Sequence, residues 1–313
     1  MASIAIYAAT PAKGWRPWGL LVPFLGILFV VLTGLPFELL LARLHLLEAT
    51  HDDPVGLVGF VAFLIGPFGA LILAVLAWVH FVERRPFSTI GLTVPGGAAF
   101  ARGLLGGLLL MGTLIAGIWL AGALTVGAVA PAFASFSSLA GIALLLVGFI
   151  IQSSAEELLF RGWMLSALGA KFGTLAAVIV SSLVFMLLHF ERHAPLLFFL
   201  NTFLFASFAC SWSLRTGNIW GVMGWHSAWN WLLGTGFGLV VTGLDTHTPA
   251  LLVKLTPVGP VWLTGGAQGS EGSVVCTVIF ACGIAWNIWR KRVPALPRHL
   301  STPDSPRGLT PAL

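Results

Sequence analysis

Long apolar runs, separated by short polar stretches, dominate the chain. A helix that crosses a bilayer needs about 20 mostly apolar residues. Eight segments meet that rule, at roughly 18–42, 56–80, 100–127, 139–168, 173–190, 195–213, 217–242 and 273–290. They predict an all-α, polytopic membrane helical bundle of about eight transmembrane helices. The fourth segment is longer than a span and carries charges in its second half. Residues 243–272 are rich in Gly, Pro and Thr and read as a loop. Residues 291–313 are polar and Pro-rich and read as a disordered tail.

Composition agrees with this layout. Hydrophobic residues make up 58% of the 313 positions and charged residues 9%. Soluble domains carry about a quarter charged residues, so a soluble fold is excluded. Mean hydropathy is +0.96. The net charge of +5 would raise the question of nucleic acid in a soluble chain. Here the basic residues lie between apolar runs and no tract interleaves them with aromatics, so no nucleic-acid partner is expected. Of sixteen Lys and Arg, only Arg43, Arg192 and Lys254 fall in outer segments if the N-terminus is inside. That asymmetry predicts both termini in the cytoplasm. A bacterial inner membrane is the expected location, on no signal in the composition. Cys210, Cys276 and Cys282 lie in apolar stretches without pairing motifs and read as small core residues.

Ionisable groups inside a bilayer are costly, so each needs a reason. The fourth span carries Glu156, Glu157 and Arg161. Glu157 and Arg161 are four apart and pair along one helix face. Glu156 points about 100° away from Glu157 and keeps no local partner. A helix-stabilising ion pair therefore explains two of the three charges and leaves Glu156 unassigned. The fifth span ends in Phe185 and His189, and a turn near Phe172 and Gly173 puts Glu156 and His189 at one level of a helical hairpin. The seventh span carries His226 and Asn230, four apart on one face. His193, four after His189, is a rival for its role, although Pro195 marks a turn there.

A buried set of Glu156, His189, His226 and Asn230 suits attack of water on a peptide carbonyl. Glu156 would take a proton from water that His189 helps to hold. His226 and Asn230 would donate to the developing oxyanion. The same chemistry also allows one divalent metal such as zinc on Glu156, His189 and His226, with water in an open position. The residues alone leave both versions open.

Three motifs in this order resemble those of the CPBP-type intramembrane proteases. That group contains the CAAX prenyl endopeptidases and the bacterial Abi and bacteriocin-immunity proteins. The motifs are Glu156-Glu157 with Arg161, Phe185 with His189, and His226 with Asn230. The run from Arg84 to Leu92 resembles the basic loop before the family's core helices, and Thr216 to Trp220 the lead-in to its third motif. The resemblance covers roughly 84–242, and this stretch is expected to be the catalytic core. Residues 1–83 then supply two N-terminal helices, and 243–290 a loop and a last helix. The resemblance implies a peptide substrate at the membrane, lipid-modified and CAAX-like, with the bilayer as the other partner. It implies Glu156 as the base, assisted by His189, an oxyanion site of His226 and Asn230, and support from Glu157, Arg161 and Phe185.

Two other classes fit intramembrane charges. A proton-coupled transporter would use them as a relay, but no inverted repeat or pair of broken helices is visible. A non-catalytic immunity or scaffold protein would not need Glu156. Marks of other membrane proteases, such as H-E-x-x-H, are absent from the sequence.

Overall fold

The computed structural model describes residues 7, 12–48, 53–93 and 95–290. The tail expected at 291–313 lies outside the described residues. Among the described residues ten α-helices are present: α1 (Val22–Arg43), α2 (Gly56–Ala77), α3 (Gly97–Leu120), α4 (Phe136–Glu157), α5 (Leu165–Phe172), α6 (Thr174–Leu188), α7 (Leu196–Thr216), α8 (Trp220–Trp231), the short α9 (Val261–Thr264) and α10 (Val274–Trp289). A helical membrane bundle is therefore observed.

The outer faces show why lipid is the solvent. On α1 and the turn before it, Leu20, Phe24, Leu28, Leu32, Leu35 and Leu39 form an exposed stripe. On α6 the stripe is Leu175, Ile179, Leu183 and Leu187. Apolar surface at helical spacing on the outside of a fold requires an apolar surrounding.

The eight expected spans are not all recovered. Five helical stretches are long and apolar enough to cross a membrane: Gly19–Arg43, Gly56–Val82, Gly97–Leu120, Phe136–Phe172 and Leu196–Thr216. Helices α6 and α10 are apolar but shorter, at 15 and 16 residues. The seventh run does not stay helical to 242. After α8 a wide turn, Leu232–Gly236, ends the helix, and Gly238 takes a φ of 62°. Hydropathy counts apolar side chains and is blind to the glycines that end the helix there.

The all-helix expectation also missed a two-stranded antiparallel sheet of β1 (Leu124–Val129) and β2 (Val253–Pro257). The third run was read to 127, but α3 stops at Leu120 and Gly122 turns the chain into β1 with a φ of 76°. The sheet ties the 243–272 segment to the end of α3.

Helix α8 is the centre of the bundle, with every residue from Gly221 to Asn230 buried. Glycines bring it close to α3. A Cβ on Gly107 would sit 2.3 Å from the Trp225 carbonyl oxygen, and one on Gly224 would sit 2.1 Å from that of Phe100. Small residues at such spacing let helix backbones touch, which is how membrane helices gain contact without a hydrophobic drive.

The basic loop before the core is clamped to the long fourth helix. Arg85 Nε donates to Glu83, and Arg85 Nη1 donates to Ser166 Oγ at 3.1 Å. Glu83 also accepts from Trp163 Nε1 at 2.7 Å. Burial pushes the Arg85 guanidinium below its ordinary value, and Glu83 opposes the shift.

Candidate active site

Helix α4 ends at Glu157 and passes into a π-helical stretch, Leu158–Met164, before α5. Such widened turns recur at functional sites because they rotate side chains out of the regular register. Gly173, with a φ of 82°, then makes the turn that sends α6 back along the hairpin. The turn lies where the sequence places it, and His189 caps the far end of α6.

Glu156, His189, His226 and Asn230 all line one recess with about 450 Å³ of empty space. Gln152, Phe205, Asn201, Thr242 and Glu271 share its wall. His193 is exposed in the turn after α6 and is not part of that wall.

The centre of the recess is a two-by-two arrangement. Gln152 and Glu156 are four apart on α4, and His226 and Asn230 are four apart on α8, so each pair shares a face. Across the helices, Asn230 Nδ2 donates to Gln152 Oε1 at 3.0 Å. His226 Nε2 lies 3.9 Å from Glu156 Oε2. That separation is too long for a direct hydrogen bond. Glu156 Oε2 is buried and has no hydrogen-bond partner.

The other ring nitrogen of His226 is committed. Its Nδ1 lies 2.9 Å from Glu157 Oε1, and a carboxylate only accepts, so Nδ1 carries the hydrogen. Glu157 Oε1 is also 3.2 Å from Arg161 Nη1, and both side chains are fully buried. Glu157 thus joins Arg161 to His226, which the sequence reading of a simple ion pair did not include. The same logic fixes His189. Its Nδ1 lies 2.8 Å from the Phe185 carbonyl oxygen and donates to it, leaving Nε2 as the free nitrogen.

Phe185 packs between charge and imidazole. The Arg161 guanidinium carbon is 4.4 Å from its ring centre, and the His189 ring centre is also 4.4 Å away. Phe205 of α7 stacks on Phe185 at 5.8 Å and meets His226 edge-on at 4.8 Å. Phe205 carries no polar signal, so nothing in the sequence singles it out.

Glu271 arrives from the 243–272 segment. Its Oε1 accepts from Trp229 Nε1 at 2.9 Å, and its Oε2 accepts from the backbone N of Thr242 at 2.9 Å. Asn201 holds the segment by donating to the carbonyl oxygens of Glu271 and Ser273, each at 2.8 Å. A loop residue 115 positions after Glu156 leaves no periodicity to read.

A larger apolar groove, with about 1440 Å³ of empty space, opens beside the recess. Its walls are α1, α2 and α4, and it shares Gln152, Glu156, His189, Asn230 and Thr242 with the recess.

Glu156, His189 and His226 are the residues that would hold a divalent metal in this recess. A catalytic zinc site takes three protein ligands. Among the described residues, no three His, Cys, Asp or Glu side chains converge closely enough to hold an ion. Glu156, His189 and His226 share a wall of the recess without forming such a cluster, and both versions of the chemistry named from the sequence, water alone or water on a metal, stand. His189 is held at the end of α6 by the Phe185 carbonyl, which fixes its ring where it stands.

The fold and this recess define a class: an integral membrane protein with a recess that holds several polar side chains and adjoins an apolar groove. Residues 137–232 match the sequence model of the family described as type II CAAX prenyl endopeptidase Rce1-like. The matched segment is of the CPBP type, and the family is one of membrane proteases. It runs from α4 to the end of α8 and holds all seven residues of the three motifs. No curated protein matches the chain.

Proposed function

We propose that this protein is an intramembrane endopeptidase that hydrolyses a peptide bond of a lipid-modified, CAAX-like substrate with water activated by Glu156. The observation that carries the reading is the buried, unpartnered Glu156 Oε2, 3.9 Å from His226 Nε2 in a shared recess. A gap of that size between two polar groups suits a bridging water.

In this mechanism Glu156 removes a proton as the water oxygen bonds to the carbonyl carbon. His189 Nε2 accepts the second water hydrogen and holds the nucleophile. The π electrons of the carbonyl move to its oxygen, which becomes the oxyanion. Asn230 and a protonated His226 donate to it. On collapse the C–N bond breaks, and the leaving nitrogen takes the proton from Glu156. The products are a carboxylic acid and an amine. Glu157 and Arg161 hold the His226 ring, and Phe185 supports His189. No step passes through a metal.

The groove supports a substrate with a lipid-like chain. Its walls are mostly apolar, with Glu38 of α1 among them, and Glu156 and His189 line it too. The chain of such a substrate would lie along α1 and α2 while its peptide bond reaches the recess. In this reading both termini face the cytoplasm, which the basic-residue asymmetry supports, and the membrane is a bacterial inner membrane.

The test is cleavage of a fluorogenic peptide ending in a prenylated CAAX box by purified protein in liposomes. Wild type should cleave it, and Glu156→Gln should not. Cleavage that survives that substitution would remove the mechanism. A wild type that never cleaves, yet protects cells in a Glu156-independent way, would favour a non-catalytic immunity role.

A further inference from the structure

The oxyanion site read from the motifs has a weakness. His226 gives Nδ1–H to Glu157, so it donates from Nε2 only when the ring carries two protons. A donor that needs no protonation would serve better, and one stands beside Asn230.

Gln152 lies one helical turn before Glu156 and is 93% buried, with 7% of its surface exposed. Its Oε1 is fully used, accepting from Asn230 Nδ2 at 3.0 Å and from Ser153 Oγ at 3.1 Å. Its Nε2 makes no hydrogen bond to any described residue, yet it is not among the buried side-chain atoms sealed off without a partner. The side chain lines both the recess and the groove. An amide nitrogen with two hydrogens is therefore left without a protein acceptor in a side chain that lines both cavities.

We propose that Gln152 is a catalytic oxyanion donor, acting through Nε2 next to Asn230 while its Oε1 holds the Asn230 amide in place. The proposal rests on the protease reading above and adds a residue that none of the three motifs contains. The two carboxamides form the standing donor pair at one end of the arrangement. Glu156, which moves the proton, and His226 stand at the other end. As water attacks, the carbonyl oxygen gains the π electron pair and accepts N–H from both amides. On collapse it returns that pair to the C–O bond as the C–N bond breaks.

The experiment compares wild type, Gln152→Glu and Gln152→Met in liposomes with the same prenylated peptide. Gln152→Glu keeps an oxygen for Asn230 Nδ2 and Ser153 Oγ and removes the donors, while adding a carboxylate one turn from Glu156. Gln152→Met removes both without adding charge. Loss of one oxyanion donor costs on the order of 100-fold in kcat, so each variant should lose about that factor with KM changed less than about twofold. Affinity for a peptide phosphonate that mimics the tetrahedral intermediate should fall in step with kcat, which a purely structural role would not produce. Glu156→Gln is the control for the reading itself. If Glu156→Gln is inactive and a folded Gln152→Met keeps kcat within about threefold of wild type, the Gln152 role is wrong and the protease reading stands. A fall in phosphonate and substrate affinity by the same factor, with kcat unchanged, would also overturn it.

Discussion

His226 Nδ1 and Glu157 Oε1 lie 2.9 Å apart, buried, across the contact between α8 and α4. Their bond fixes which imidazole nitrogen faces the recess. The same carboxylate oxygen meets Arg161 Nη1 at 3.2 Å, so one acid orients the ring and balances a buried cation. Glu157→Gln keeps the side-chain shape but leaves the buried Arg161 without its counter-charge, so the thermal midpoint should fall as well. We predict a loss of about 100-fold in kcat with little change in KM, the scale of one misplaced proton-transfer group. Steady-state kinetics in liposomes check this, and an unchanged kcat in a folded variant would count against the orienting role.

Arg161 is 0% exposed and sits over the Phe185 ring. Its removal leaves the Glu157 carboxylate without its cation in a place water does not reach. Breaking a buried pair from one side costs about 3–5 kcal/mol. Arg161→Ala is therefore predicted to lower the yield and thermal midpoint of detergent-purified protein, not to give a folded enzyme with a selective kinetic defect. Wild-type yield and midpoint would contradict it.

Gly107 sets the approach of α3 to α8, and the sequence offered no reason to single it out. An added Cβ would press on the Trp225 carbonyl oxygen at 2.3 Å. Backbone cannot yield as a side-chain tip does, so Gly107→Ala should destabilise by about 1–3 kcal/mol. Because His226 and Asn230 ride on α8, activity should fall as well. Thermal unfolding and the cleavage assay on the same preparation measure both effects.

The proposed mechanism uses water activated by Glu156 alone, so it predicts that cleavage persists in a strong chelator. Activity lost on chelation and restored by added zinc would show that the ligands converge in the working enzyme.

How much of this was legible in the sequence follows from the range of each interaction. Lipid-facing stripes repeat along single helices, so membrane class could be read directly. The levels of Glu156 and His189 followed from counting back from a turn at Gly173. The length of α6 and the early end of α8 did not, because hydropathy does not register where glycines stop a helix. Glu157 was half-read: Arg161 is four residues away, but His226 is 69 away and no periodicity connects them. Gln152 was within reach, one turn from Glu156 on the same face, and its meaning appears only once Asn230 faces it. Glu271 belongs to a loop whose path is set by Asn201, Trp229 and Thr242.

The central claim is that Glu156 activates water in a recess completed by His226. The most direct test is the rate of peptide-bond cleavage by purified protein in liposomes, for wild type, Glu156→Gln and His226→Ala, each shown to be folded. The expected result is cleavage by wild type, with both variants reduced by a factor on the order of 100 or more. Cleavage at the wild-type rate by either folded variant would contradict the account.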